Sequence, residues 1–200
     1  MIFWSEFWSE EDIIDWGKNT GTETRKTWME KYKSGFFHEY MSGKGIDIGY
    51  QGYTKEEIVP VLPSAIGIDL GTPEYDGHTL PFKDGELDYA YSSHFLEHVD
   101  DYAHHIREQF RVVKSGGHIV IVVPHKFLYE KKESLPSRWN ADHRRMYTPA
   151  SLLLEIENSL PPNSFRVRHL RDNDKNHDYN QPNDEHSKGE YEIEVVIQKL

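Results

Sequence analysis

Two rhythms of apolar and polar positions run along this chain. Up to residue 42 the rhythm is helical. Ile13, Ile14 and Trp16 form one apolar cluster, and Trp28, Met29, Tyr32, Phe36, Phe37 and Tyr40 recur at helical spacings with charges between them. Between the clusters, GKNTGTETRK (17–26) holds two glycines and reads as a loop or helix start, with Thr22 as candidate N-cap. From residue 43 short apolar runs alternate with turns. Residues 46–48, 65–70, 87–93 and 118–124 read as strands, and the last, HIVIVVP, is apolar throughout, as a strand buried on both faces should be. A brief helix is predicted at 54–59, capped by Thr54 and stopped by Pro60. A longer one is predicted near 100–113, opened by Asp100-Asp101 and ended by Ser115-Gly116-Gly117, with Tyr102, Ile106, Phe110 and Val113 on one face.

Beyond residue 124 the chain turns polar and rich in His, Arg and Trp up to 148. A helix then begins near Pro149 and ends at Pro161-Pro162. Residues 165–170 and 191–199 read as a final antiparallel pair around a nearly apolar-free loop. No internal repeat is present. Strands alternating with helices predict an α/β sheet covered on both faces, whose ligands sit at the carboxyl ends of the strands. Those ends carry Gly49, Asp69, the run Ser92-Ser93-His94, and Pro124-His125. A glycine after a strand allows close backbone approach to a ligand, and a carboxylate at a strand end can hold two ribose hydroxyls.

Composition narrows the chemistry. The 200 residues suit one domain, and 13% aromatic content offsets a hydrophobic fraction of 36%. With no cysteine, disulfides, thiolate metal sites and cysteine nucleophiles are excluded. A net charge of −11 argues against non-specific nucleic-acid binding. No apolar run approaches a membrane span, and the acidic, aromatic start does not read as a targeting peptide. These features predict a cytoplasmic domain with a small-molecule partner.

The ordered blocks GKGIDIGYQG, AIGIDLG, LPFKDGELDYAYSSHFLEHV and FRVVKSGGHIVIVVPH resemble class I S-adenosylmethionine-dependent methyltransferases, over about residues 43–125. The resemblance implies a Rossmann-like, doubly wound, seven-stranded sheet with an antiparallel last strand, here with a helical N-terminal extension. It implies S-adenosylmethionine as cofactor. Asp47, Gly49, Tyr50 and Gly52 would form the first cofactor motif. Asp69 would hold the ribose, Leu70 would lie against the adenine, and Asp76 would meet the adenine amino group. Ser92, Ser93 and His94 would face the sulfonium and the substrate. The chain departs from the family's D-x-G-x-G-x-G, with Gln51 and Tyr53 in place of glycines, so the loop takes another path. Only GTPEY separates Leu70 from Asp76, too little for the helix that relatives place there.

One domain is therefore expected: a helical extension (1–42), a cofactor core (43–125), a substrate or lid loop (126–148), and a C-terminal helix with antiparallel strands (149–200). His125 and His143 are the candidate general bases, with Asp142 as orienting partner. Arg138 and Arg144 suit an anionic acceptor and Trp139 a stacked sugar, so the acceptor expected is a small polar molecule such as a sugar or surface-polysaccharide precursor. His94 and His98 stand four apart, but no HExxH pattern is present; His98 is expected in packing and no metal is expected. Arg25 and Lys26 would reach the cofactor if the N-terminal region caps it. A degenerate binding module and, less favoured, a nucleotide-cofactor oxidoreductase are the alternatives.

Overall fold

The computed structural model describes residues 8–52, 55 and 57–200. Three helices come first: α1 (Glu10–Lys18), α2 (Thr22–Lys33) and α3 (Phe36–Tyr40). Strands β1 (Gly45–Ile48), β2 (Ala65–Ile68) and β3 (Leu87–Ser93) follow, then α4 (Tyr102–Val112), β4 (Val113–Pro124), α5 (Pro149–Ser159), β5 (Phe165–Asn173) and β6 (Glu192–Lys199). They build one sheet in the order β2-β1-β3-β4-β6-β5. The first four strands are parallel, and β6 runs antiparallel to both β4 and β5.

The apolar run of β4 explains the layering. Ile119, Ile121 and Val123 point into one core with Leu96, Ile106, Leu152 and Ile156, under α4 and α5. Val120 and Val122 point the other way, into a second core with Ile13, Trp28, Phe37 and Met41 from the N-terminal helices. Successive side chains alternate faces, so a strand covered on both must be apolar at every position. The N-terminal extension thus forms the covering layer of one sheet face. Ser9 starts α1 through a capping box with Asp12. Where α1 meets α2, a Cβ on Gly17 would lie 2.3 Å from the Trp28 ring. The Trp28 indole donates to the Val61 carbonyl at 2.8 Å, tying α2 to the segment before β2.

Several expectations need correction. Gly21, not Thr22, is the N-cap of α2, and it offers no side-chain bond. Tyr53, Thr54 and Glu56 lie outside the described residues, and with them the predicted cap at 54. Among the described residues of 55–60 no helix forms, and Val59 instead pairs with Thr20. Ser115-Gly116-Gly117 does not end a helix: α4 passes at Val112 into β4, and these residues bulge between the Leu87–Val113 and Tyr89–His118 pairs. The sheet has six strands among the described residues rather than seven. The short link after β2 leaves residues 71–84 in turns, and the Arg111 guanidinium pins them by donating to the Leu80 and Phe82 carbonyls. Glu108 completes that anchor, accepting from Arg111 and from the Leu80 amide.

Candidate active site

At the carboxyl ends of β1, β2 and β3 lie two cavities of about 310 Å³ each. They adjoin, sharing Gly49, Gln51, His94 and His98. The cavity over β2 has apolar walls, including Ile48, Ile68, Tyr75 and Phe95, and one carboxylate, Asp69. The cavity over β3 is polar, with Glu23, Asp47, Ser93, Tyr129 and His143 in its lining.

The β1 end is built tightly. Gly49 has φ +78°, and a Cβ there would meet the Phe95 ring at 3.1 Å. Gln51 also takes a left-handed φ of 68°. Asp47 is buried and accepts from the Val61 amide at 2.7 Å. Burial pushes its carboxyl up to about 8, with the Val61 bond acting against the rise. Tyr50 borders the polar cavity, and its ring leaves room for no Cβ at Gly52 (2.1 Å) or Gly67 (2.5 Å). Gly52 therefore serves Tyr50 and does not line either cavity. Asp69 accepts from the Leu70 amide at 2.8 Å, and Leu70 borders the apolar cavity beside it. Asp76 lines neither cavity; its Oδ1 closes a turn by accepting from the His78 and Thr79 amides.

Carboxylates and imidazoles crowd the end of β3. His94, with a left-handed φ of 50°, follows Ser93 into the cavity, whereas Ser92 is buried outside the cavity linings. His94 Nε2 lies 3.4 Å from Glu192 and 3.8 Å from Glu23, and its Nδ1 lies 3.5 Å from Glu97 Oε1. Against the cost of burial, Glu192, Glu97 and Glu23 raise the His94 pKa. Glu97, in the 3₁₀ turn Leu96–His98, has no solvent exposure, and neither carboxylate oxygen has a hydrogen-bond partner. Burial pushes its pKa up to about 7, with His94 pulling it down.

Residues 126–146 leave the sheet and return to it. His125 pairs with Tyr147, and the Lys126 amide donates to the Tyr147 carbonyl at 2.6 Å, closing the neck. The excursion carries Tyr129, Asn140 and His143 to the polar cavity. His143 Nδ1 donates to Glu130 Oε1 at 3.0 Å, so Glu130 and not Asp142 orients it. Burial lowers the His143 pKa and Glu130 offsets part of that. His125 is not in the site. Its Nδ1 accepts from the Phe127 and Leu128 amides as the cap of a π-type turn, and its Nε2 faces Asp172 at 3.6 Å.

Arg138, Trp139, Asp142 and Arg144 do not line the cavities either. The Trp139 indole donates to the Tyr129 carbonyl, and its ring lies against His186. The Arg138 amide donates to Glu130, whereas Asp142 is exposed. The Arg144 amide fastens the loop to the Glu97 carbonyl at 2.7 Å. At the other wall, the first turn of α2 brings Gly21, Thr22, Glu23 and Thr24 to the polar cavity. Arg25 turns back to the Lys18 carbonyl, and Lys26 binds Glu23 and the Tyr191 hydroxyl.

A sheet with parallel strands 2-1-3-4, an antiparallel pair at the far edge and a cleft across the strand ends defines a nucleotide-cofactor architecture. Within it, residues 63–121 match the methyltransferase-domain family. Across 93% of this chain and 97% of the other, the fold superposes on a S-adenosylmethionine-dependent methyltransferase from Aquifex aeolicus, with TM-score 0.55 and 13% identity. A second, from Archaeoglobus fulgidus, gives TM-score 0.54 and 14% identity over 88% of this chain and 94% of that one. Ajmaline N-methyltransferase from Rauvolfia serpentina is 36% identical over 75 residues, 37% of this chain and 24% of the relative. An uncharacterized 37.1 kDa protein in a transposon of Streptomyces fradiae is 40% identical over 60 residues, 30% of this chain. The chain spans only 16–24% of the length of these curated relatives. The fold is that of class I S-adenosylmethionine-dependent methyltransferases.

The group this fold implies is S-adenosylmethionine, and the residues fit it. An apolar slot ending in Asp69 suits a nucleoside. The close approach at Gly49 leaves backbone exposed beside it, and the adjoining acidic cavity suits a cation.

Proposed function

We propose that this chain transfers a methyl group from S-adenosylmethionine to a hydroxyl of a small polar acceptor. The observation that carries the reading is the pair of adjoining cavities, one apolar with a carboxylate and one polar with histidines, meeting at Gly49 and His94. In this reading Asp69 holds the ribose hydroxyls and Ile68, Leu70 and Phe95 flank the purine. Gly49 and the first turn of α2 border the amino-acid end. Bound S-adenosylmethionine supplies the electrophilic methyl group. The chain's own task is to align the acceptor and manage its proton.

We assign that proton to His143. Its Nδ1–H is committed to Glu130, which leaves the Nε2 lone pair toward the interior of the site. Tyr129 and Asn140 border the same space and offer hydrogen-bonding groups to an acceptor. The net charge of −11 favours a small molecule over a polyanion. A sugar or surface-polysaccharide precursor is the acceptor class we favour, and cytoplasm the compartment in which the cofactor would meet it.

Calorimetric titration tests the cofactor half of this reading. S-adenosylmethionine and S-adenosylhomocysteine should bind and a nicotinamide dinucleotide should not. Asp69→Ala should weaken binding by about 30-fold or more, because two hydrogen bonds to a charged group are lost. Unchanged affinity in that variant removes the ribose assignment. Release of S-adenosylhomocysteine across a panel of hydroxylated acceptors tests the transfer itself, and no turnover with any despite cofactor binding favours the degenerate module.

A further inference from the structure

Behind His98 and His143, which line the polar cavity, lies an arrangement that methyl transfer alone does not require. Glu97 is fully buried, both its oxygens lack hydrogen-bond partners, and three imidazoles approach its Oε1, His94 Nδ1 at 3.5 Å and the rings of His98 and His143. His98 Nε2 is 3.8 Å from Glu97 Oε1, and His143 Nε2 is 4.0 Å from the same oxygen. The two rings meet edge to face with centroids 4.8 Å apart. One ligand atom from each of the three residues lies within 4.8 Å of the other two. Burying a carboxylate without hydrogen bonds is costly, and the His94 ring at 3.5 Å faces it without forming one.

We propose that Glu97, His98 and His143 bind a divalent transition-metal ion of the zinc, cobalt and manganese class, with its open positions toward the cavity. Two imidazoles and one carboxylate form a donor set that such ions take in sites that keep room for substrate, whereas magnesium and calcium prefer oxygen alone. The spacing suits it. Ligands held at about 2.1 Å from a common ion sit about 3.0–3.4 Å apart, so the two carboxylate–histidine edges close by about 1 Å or less and the histidine–histidine edge by at most about 1.8 Å. The surrounding groups also fit a metal centre. Glu130 accepts from His143 Nδ1, the carboxylate–histidine pairing that fixes a ligand's tautomer and aims its other nitrogen. The loop bearing His143 is stapled beside Glu97 by the Arg144 amide, and the Arg145 guanidinium donates to the Val99 and Asp100 carbonyls.

The binding site stands on this geometry; its use rests on the methyl-transfer reading. An acceptor oxygen on the open face of the ion would be held by it, and its hydroxyl would ionise at a lower pH, the proton passing to water. With the ion bound, His143 Nε2 is a ligand and not a base, so the ion replaces His143 in handling the acceptor proton.

The test is metal binding without cofactor. Tag-free protein, stripped with chelator, is titrated with Co²⁺ alone, followed by visible absorption and by metal content after dialysis. One Co²⁺ per chain is expected, displaced by Zn²⁺. Glu97→Gln and His98→Asn should each weaken binding at least tenfold, and Glu130→Gln about tenfold or more. Circular dichroism shows whether each variant is folded, and His98, only half-buried, is the substitution least able to disturb packing. Absence of a stoichiometric site in the wild type overturns the proposal. So does affinity unchanged in folded Glu97→Gln and His98→Asn, which places the ion on other histidines. Metal binding that depends on the trio, in a protein that binds no S-adenosylmethionine, upholds the metal site and overturns the methyl-transfer reading instead.

Discussion

Lys31→Met would test the buried charge network that joins α2 to β6. Lys31 is 4% exposed, and its ammonium donates to Glu194 at 3.0 Å and to Thr27 Oγ1 at 2.5 Å. Glu192 lies 3.9 Å away. Methionine keeps the length of the stem and removes the charge, leaving Glu194 to His169 and Arg171 and Glu192 to His94. Burial alone would raise the Glu194 pKa. The His169 ring, the Lys31 ammonium and Arg171 overcome it and hold Glu194 down to about 2, from an ordinary 4.5. That depression corresponds to about 3.4 kcal/mol at 1.36 kcal/mol per pKa unit, a ceiling that Lys31 shares with His169 and Arg171. Breaking a buried pair by removing one partner costs about 3–5 kcal/mol. A loss near 3 kcal/mol is therefore expected, lowering Tm by roughly 6–12 °C for a chain of this size.

The sign of the pH dependence follows from the depressed carboxylate. Its contribution is fully present above about pH 4.5 and is lost as pH falls toward 2, because the unfolded chain takes up the proton first. Urea unfolding followed by circular dichroism should show the full gap between wild type and variant at pH 7, narrowing below about pH 4.5. Replacing the pair together, Lys31→Met with Glu194→Leu, should recover much of the loss. A Tm within 2 °C of wild type at pH 7, or a gap that does not change down to pH 3.5, refutes the reasoning.

Gly17→Ala forces a methyl group to 2.3 Å from the Trp28 ring, so about 1–3 kcal/mol of stability should be lost, read as a lower urea midpoint. His105 has its pKa lowered to about 4 by burial and by the neighbouring His104 and His78. The unfolded chain protonates first, so the wild type should lose stability as pH falls from about 6.5 toward 4, and His105→Asn should flatten that part of the profile. His125→Ala removes the cap of the π-type turn and should cost about 1 kcal/mol while leaving S-adenosylmethionine affinity unchanged; loss of affinity would return His125 to the site.

The strands were legible because burial on both faces forces long apolar runs, and β3, α5 and the terminal pair stand where their patterns put them. Gly49, Asp69 and His94 were legible as strand-end residues, since topology alone puts those ends at the cleft. Gly52 misled, because its missing Cβ answers the Tyr50 ring, a contact with no local pattern. His125 misled in the same way: it follows the strongest strand, yet two backbone amides occupy its ring nitrogen. Glu97 carries no signal of its own in the sequence. Only the packing of Leu96 beneath it and of the 126–146 excursion above it turns that carboxylate inward. Glu130 was hidden because it reaches His143 across thirteen residues of irregular chain. The role of α2 as a cavity wall needed the N-terminal layer to be docked, which sequence spacing does not encode.

The neck at His125 and Tyr147 has a consequence for how such a protein changes over time. The excursion begins and ends at one paired position, so its two ends are neighbours before the loop between them takes any shape. Insertions, deletions or wholesale replacement between them leave the pairing of β4 with β6 untouched. In the proposed reading, the frame that binds the cofactor and the segment that meets the acceptor are therefore separable inheritances. Grafting a relative's 126–146 counterpart onto this neck is the shortest path to a new acceptor preference, provided the graft brings its own equivalent of His143.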